Sequence, residues 1–477
     1  MLASVSAIAA VLLNGEARSA HQLRPVITCG PDPDSAADAF VRSINNTRPG
    51  FAAASGRLWH TDSWLNETCA GVQHIRELQA TQPTKPRGAV TILAFQANCG
   101  EDCTRGNKHD QSWNVANMAA ALDEYFFSRH GAYPLVIHHE DLTDEQRQRI
   151  NVQTRSSAVV WQRVNFNFEA ALPQYYDSAA VIADVNSSHR GGNLSSPSMR
   201  GTFHGFGYRT MCRFYSALVM FSPLLLQVDW YLRVDGGDSR INRAWPQDVF
   251  AYLQAKQYAY AYEGIAKAAE NPRLDMALRR YEQAHPKVKV DAALRKPFVD
   301  AHGRYNGRYY YNNLEVVRLH AFRSRAHWSL FMAVEHSGAF MHGATHKQNL
   351  GDADFRSMAL PYVLEARQVF KMPESMIPYQ HPAPWDQPYR HQSHCVPELG
   401  ATACAQGTSD KSAARAASKA LRSTQHALRA TQQRQGKPLL GPRHTHTPPH
   451  THGPHAHIPT RTHGIPLPGF LKRPWGF

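Results

Sequence analysis

Two aspartates bracket a pair of glycines at the end of an apolar run. In YRTMCRFYSALVMFSPLLLQVDWYLRVDGGD, which extends from Tyr208 to Asp238, the segment VDWYLRV stops at Asp235, Gly236, Gly237 and Asp238. Carboxylates are hard oxygen ligands, suited to a divalent cation that bridges phosphates. Glycine lets a backbone turn sharply and come close to a diphosphate. At the carboxyl end of a central strand in an open α/β sheet, such a loop is where ligands bind. The plainer alternative is an ordinary surface turn, which the same residues also make. A second chemically capable group is Glu315, set among Leu314, Val316 and Val317. It is either exposed on an edge strand or buried for a reason, and the general habits of glutamate favour exposure.

Those groups need elements to hold them. The run Ala89 to Ala97, rich in β-branched residues and followed by turn signals, predicts a first buried strand. Helical spacing of Met118, Leu122, Tyr125 and Phe126 predicts a helix over Trp113 to His130, and YPLVIHHE predicts a second strand. A strand, helix and strand in that order imply a parallel pair in a sheet covered by helices. A short helix with a capping-box threonine, Thr143, is expected over Leu142 to Ile150. Residues 184–205 read as a polar, glycine-rich loop. After Asp238, helices are expected over Trp245 to Ala255 and Ile265 to Arg280, the second restarting at Pro272, with KQYAYAYEG as a strand between them.

Composition bounds the rest. The chain has 477 residues, 43% hydrophobic and 19% charged, enough for a large core plus polar extensions. Its net charge of +14 is concentrated in residues 401–477, which hold eleven Lys/Arg against the single acid Asp410. The remainder is close to balanced, so a basic tail and not a basic groove explains the charge, and no nucleic-acid partner is expected. That tail, with its His, Thr and Pro repeats, reads as disordered. Residues 21–85 read as an irregular stem and 86–400 as the folded domain. The apolar run from Leu2 to Leu13 is too short to span a bilayer and reads as a signal peptide or truncated anchor within residues 1–20, against a buried first helix. Asn45, Asn66, Asn186 and Asn193 begin Asn-x-Ser/Thr triplets, in keeping with a lumenal location. The seven cysteines read as disulfide candidates or buried thiols, because the Cys99 and Cys103 spacing lacks the second pair of a zinc site.

Across Ala89 to Pro382 the chain resembles the fungal-type α-1,2-mannosyltransferases, the glycolipid 2-α-mannosyltransferase family. The block YRTMCRFYSALVMFSPLLLQVDWYLRVD is the strongest. ALDEYFFSRHGAYPLVIHHEDLTDEQ, YNGRYYYNNLEVVRLHAFRS, LGDADFRSMALPYVL and IPYQHP follow in the family's order and spacing. Where the family has Trp, Pro and His in the fourth block, this chain has Leu350, Asp354 and Arg356.

The resemblance implies an α/β fold of GT-A type, with a mixed, mostly parallel central sheet flanked by helices. It implies transfer of mannose, with retention of configuration, from GDP-mannose to a mannose-terminated oligosaccharide on a glycoprotein or glycolipid. A divalent metal, manganese, and a Golgi or secretory-pathway lumenal location come with it, as does membrane association through the N-terminus. Glu315 falls on the family's candidate nucleophile, and could equally stabilise charge at the anomeric carbon. Tyr208 matches a tyrosine near the donor phosphates and the reacting carbon, and Arg213, Asp235 and Asp352 fall on donor-binding positions. Asp235 or Asp238, with His381, would hold the metal. A carbohydrate-binding relative that kept the fold and lost the transfer is the competing reading, and a nucleic-acid binder resting on the tail is a third.

Overall fold

Residues 27, 29, 32–94, 111–140, 142–166, 171–188, 206–236, 239–342 and 350–380 are described by a computed structural model. They belong to one compact unit, Met1–Ala405. A second unit, Gln406–Phe477, lies outside them. Also outside are the expectations for the signal segment, the tail, Asp238, His381, and Cys99, Cys103, Cys395 and Cys404.

Strands among the described residues are β1 (Gly88–Ala94), β2 (Leu135–His139), β3 (Val159–Arg163), β4 (Trp230–Val234), β5 (Arg240–Ile241), β6 (Tyr260–Tyr262), β7 (Ile265–Lys267), β8 (Arg308–Tyr310), β9 (Leu314–Arg318), β10 (Val369–Lys371) and β11 (Tyr379–Gln380). Seven of them form one sheet in the order β10-β6-β9-β4-β1-β2-β3. Only β9 runs against the others, being antiparallel to β4 and to β6. The sheet is therefore mixed and mostly parallel, as the resemblance implied, with β4 at its centre.

The β1-helix-β2 unit forms as the periodicity predicts. Helix Gln111–Leu122 continues through a π-helical turn, Asp123–Phe127, to Ser128–His130, and β2 then pairs parallel with β1. Thr143 caps helix Asp144–Asn151: it accepts from Gln146 N while the Gln146 side chain accepts from Thr143 N. Both faces of the sheet are covered. Ala89, Val136, Tyr231, Tyr260 and Val317 join one apolar cluster. Val90, Ile92, Leu232, Ala261 and Val316 join the other. Burial on both sides is why these strands read as nearly continuous apolar runs.

Several expectations are corrected. Over its described residues the lead-in 21–85 is not an irregular stem: helices Pro33–Asn45, Phe51–Ser55 and Ala70–Thr81 and the π-helical turn Trp64–Cys69 occupy them. Ala36, Ala37, Phe40 and Ile44 make the buried stripe of the first of these. Phe40 packs on Trp64 at 5.3 Å between ring centroids, and Phe51 on Phe221 at 5.3 Å. Alanine carries half of that stripe, so the apolar period was weak in the sequence. A disulfide, Cys29–Cys69, ties this region together, and Cys212 is a free, buried thiol. Part of the expected 184–205 loop is the end of helix Ser178–Ser188. Helix Val249–Ala255 starts later than expected because Asp248 caps it. Residues 265–267 form β7, paired with β8, and the next helix begins afresh at Pro272 behind its Asn271 cap. No helix among the described residues is long and apolar enough to cross a membrane.

Candidate active site

Strand alternation sorts β4 into two sets. Trp230, Leu232 and Val234 enter one apolar cluster. Tyr231, Arg233 and, just past the strand, Asp235 take the other face. Because β9 runs antiparallel, Glu315 lies opposite Arg233 and Val317 opposite Tyr231. Tyr262 of β6 lies opposite Glu315 on its other side. The polar residues therefore share one face at the carboxyl edge of the parallel strands, where the topology predicts a ligand.

Asp235 is half-buried, and its Oδ2 accepts from Asn313 Nδ2 at 3.1 Å. The same two residues are joined through their backbones, Asp235 N donating to Asn313 O at 3.0 Å. Gly236 is required for packing: a Cβ there would sit 2.7 Å from Ile92 Cγ2 and 3.2 Å from Val115 Cγ2. The glycine after the aspartate thus allows close approach to β1 and the helix behind it.

Glu315 is fully buried, which overturns the expectation of an exposed edge glutamate. It lies on an interior strand between β4 and β6. Its Oε1 accepts from the Tyr231 hydroxyl at 2.6 Å, and its Oε2 faces Arg356 Nε at 3.5 Å. Burial alone would lower the Arg356 guanidinium, but Glu315, Tyr231, Tyr260 and Asp352 together outweigh it and the group is held above its usual value. Burial, then Glu315, pushes the Tyr231 hydroxyl well up, so it stays a proton donor.

Beside this pair lies a second buried one. Asp352 opens helix Asp352–Val363 and accepts from Arg233 Nη1 and, at 2.8 Å, from Asn312 Nδ2. The Arg233 guanidinium lies 3.7 Å from the centre of the Tyr215 ring, a desolvated cation–π contact. Tyr208, on helix Phe206–Ser216, lies in the same region: burial raises its hydroxyl, and Cys212, Asp352 and Asp354 add to the effect. Burial likewise pushes the Asp354 carboxyl up to about 7, with Asp352 reinforcing it, although Tyr305 and the Gly351 N–H donate to it. A further carboxylate, Glu263, follows β6 at the same edge and is raised by burial.

Arg213 is placed elsewhere than the resemblance implied. Its guanidinium is buried and committed to Glu335, Ala171 O and Ala54 O. Asp235, Glu315, Asp352 and Tyr208 are thus brought into one region, and Arg213 is not part of it. Asp238 and His381 lie outside the described residues. Nearby in the structure, Gln380 of β11 pairs with Arg240 of β5, and Ser239 Oγ contacts the Tyr379 hydroxyl at 2.5 Å.

Sequence reasoning missed Tyr231, Asn312, Asn313, Glu263 and Arg356. A period-two reading of WYLRVD, with Tyr231, Arg233 and Asp235 on one face, would have found the first. The Arg356 contact depends on a helix lying across the sheet, and no local signal announces it.

Among the described residues no group of three or more His, Cys, Asp or Glu side chains is placed to hold a metal ion. That does not conflict with a cation held together with a diphosphate. A hard octahedral ion in such a site takes one or two carboxylates from the protein and the rest of its oxygens from phosphate and water. Asp235, half-buried and fixed by Asn313, suits that part.

An open, mostly parallel α/β sheet with an acid after its central strand and a second on the antiparallel neighbour is a GT-A type architecture. The chain belongs to the glycolipid 2-alpha-mannosyltransferase family, whose sequence pattern matches residues 104–400. It is 28% identical over 165 residues to the α-1,2 mannosyltransferase KTR1 of Saccharomyces cerevisiae, a match covering 34% of this chain and 40% of that protein. To the glycolipid 2-alpha-mannosyltransferase of the same yeast it is 26% identical over 200 residues, covering 40% of this chain and 43% of the relative. These matches therefore span less than half the length of the relatives. Among solved structures, core-mannan synthase A from Aspergillus fumigatus, in its Mn/GDP form, has a TM-score of 0.50 at 16% identity. That likeness covers 62% of this chain and 75% of the synthase, and it establishes the fold.

Proposed function

We propose that this protein is a retaining α-1,2-mannosyltransferase. It moves mannose from GDP-mannose to a mannose-terminated glycan on a glycoprotein or glycolipid. The observation that carries the reading is the placing of Asp235, just past β4, and Glu315, on β9, on one face of the sheet at the carboxyl edge of its parallel strands, in a chain of this family.

In this reading Asp235, with Asp238 and His381, would hold a manganese ion, which when bound neutralises charge on the departing GDP. Tyr208, kept protonated by its surroundings, donates a hydrogen bond to a phosphate oxygen. Asp352 and Asn312 keep Arg233 and the amino end of helix Asp352–Val363 in place. Glu315 serves either as the nucleophile on the sugar face opposite the diphosphate or as a fixed negative charge beside the anomeric carbon.

The test is GDP release from GDP-mannose by the full chain, with manganese or EDTA, with and without a mannoside acceptor, alongside Glu315→Gln. Manganese-dependent release that rises with acceptor and is lost in the variant supports the reading. The complete burial of Glu315 favours a non-catalytic carbohydrate-binding relative as the second reading. GDP-mannose binding with no release, whichever mannoside is offered, would select it.

A secretory-pathway lumenal location is supported by the Cys29–Cys69 disulfide, a bond that persists in oxidising compartments. Asn66 is exposed in its Asn-x-Thr triplet, and a mobility shift on glycosidase treatment of the cell-derived protein would test it. Membrane association through the N-terminus rests on the Leu2 to Leu13 run and is tested by carbonate extraction.

A further inference from the structure

Buried polar groups in folded proteins are almost always hydrogen-bonded, and an exception calls for a reason. One exception lies at the candidate reaction centre. Glu315 Oε2 and Arg356 Nε and Nη1 are shut off from solvent and make no hydrogen bond among the described residues. Glu315 and Arg356 are both 0% exposed, and the 3.5 Å between Oε2 and Nε is an ion-pair distance.

The rest of Arg356 is firmly held. Its Nη2 donates to Tyr215 O at 2.8 Å and reaches the Tyr231 hydroxyl at 3.4 Å. Its guanidinium lies 4.8 Å from the centre of the Phe322 ring. Arg356 is thus tied to Tyr231, which itself donates to the other oxygen of Glu315 at 2.6 Å. Tyr231, Glu315 and Arg356 thus form a closed triangle, with a hydrogen bond on one carboxylate oxygen and the guanidinium facing the other.

Charge balance assigns the cation. The groups facing Glu315 are Tyr231 and Arg233 on β4, Tyr260 and Tyr262 on β6, Tyr215 on helix Phe206–Ser216 and Arg356 on helix Asp352–Val363. Arg233 is already matched by Asp352. Arg356 is left as the permanent charge that balances Glu315, and removing one partner of such a pair strands a buried charge.

We propose that Arg356 is a positioning residue for the transfer reaction: it balances and orients the Glu315 carboxylate, so that the rate depends on a side chain that touches neither substrate. The inference rests on the mannosyl-transfer reading above. It adds to that reading a residue at which this chain differs from the family it resembles, where histidine stands.

The test compares the full chain with Arg356→Lys and Arg356→Met in manganese-dependent mannose transfer from about pH 5 to 8, with urea unfolding as a check on folding. Misplacing the carboxylate by an ångström lowers kcat by about a hundredfold in R356M and about tenfold in R356K, with KM for GDP-mannose changed less than about threefold.

An R356K enzyme with unchanged kcat overturns the proposal, whether or not R356M folds. So does a folded R356M enzyme that keeps the wild-type kcat, or whose loss falls on KM for GDP-mannose and not on kcat. If the wild-type chain itself transfers no mannose, the functional reading falls and this one with it. If the wild type is active and the variants match it, this one falls alone.

Discussion

The Tyr231 hydroxyl donates to Glu315 Oε1 at 2.6 Å from the neighbouring strand, and neither side chain is exposed. The two strands therefore orient the carboxylate before any substrate arrives. A hydrogen bond to a charged acceptor is worth about 1.5–3 kcal/mol. Tyr231→Phe is expected to lower kcat roughly tenfold and stability by about that energy, leaving KM for GDP-mannose nearly unchanged. Steady-state kinetics and urea unfolding of the same preparation check both halves.

In the proposed reading, Asp235 is the described carboxylate that meets the cation. Asp235→Asn keeps its size while removing the charge, and losing one charged ligand corresponds to about 1.4 kcal/mol or more, a tenfold change in affinity. The manganese concentration for half-maximal GDP binding should rise at least about tenfold, while GDP binding in EDTA stays as in the wild type. Calorimetric titration of GDP at several manganese concentrations measures this without any turnover.

Arg213 and Glu335 form a buried pair in the core, with side-chain exposures of 1% and 0%. Tyr175 donates to the same Glu335 oxygen at 2.8 Å. Arg213→Met strands the carboxylate and should cost about 3–5 kcal/mol of stability. The double variant R213M/E335L should recover most of it. A role for Arg213 in gripping the donor would instead weaken GDP binding in the folded double variant, and none is expected.

Asp354 supplies a pH signature. Its folded-state value, about 7, lies above the ordinary carboxyl range, so between about pH 4 and 7 the folded protein holds a proton that the unfolded chain has released. Stability from this group is full at low pH and declines as pH rises toward 7. The buried histidines act in the opposite sense: burial pushes His138 down to about 3 and lowers His139 and His327, which penalises folding at acid pH. Comparison with Asp354→Asn separates the two. Relative to the wild type, the variant should gain stability between pH 5 and 8, on the order of 2–3 kcal/mol. Urea midpoints at the two pH values decide it.

Much of the scaffold was legible because its determinants are local. GAVTILA, the helix after it and YPLVIHH carry their periods within windows of a dozen residues, and the Thr143 box is complete within four. The lead-in was not legible. Its helices are joined to the core by contacts such as Phe51–Trp328 and Arg48 Nε to Arg323 O, across more than 270 residues of chain. Residues 265–267 read as helix because their strand character comes only from pairing with β8.

By itself the sequence determined the β1-helix-β2 nucleus, the acidic end of the strand that became β4, the charge asymmetry between body and tail, and the family. Those are properties of neighbouring residues and of ordered blocks. Tertiary structure alone decided that Glu315 is interior, that Arg213 belongs to Glu335, and that Arg356 stands beside Glu315. Each depends on how far a side chain is removed from water and which opposite charge is removed with it. That energy is set by strand order and by a helix crossing the sheet, and no window of sequence contains either.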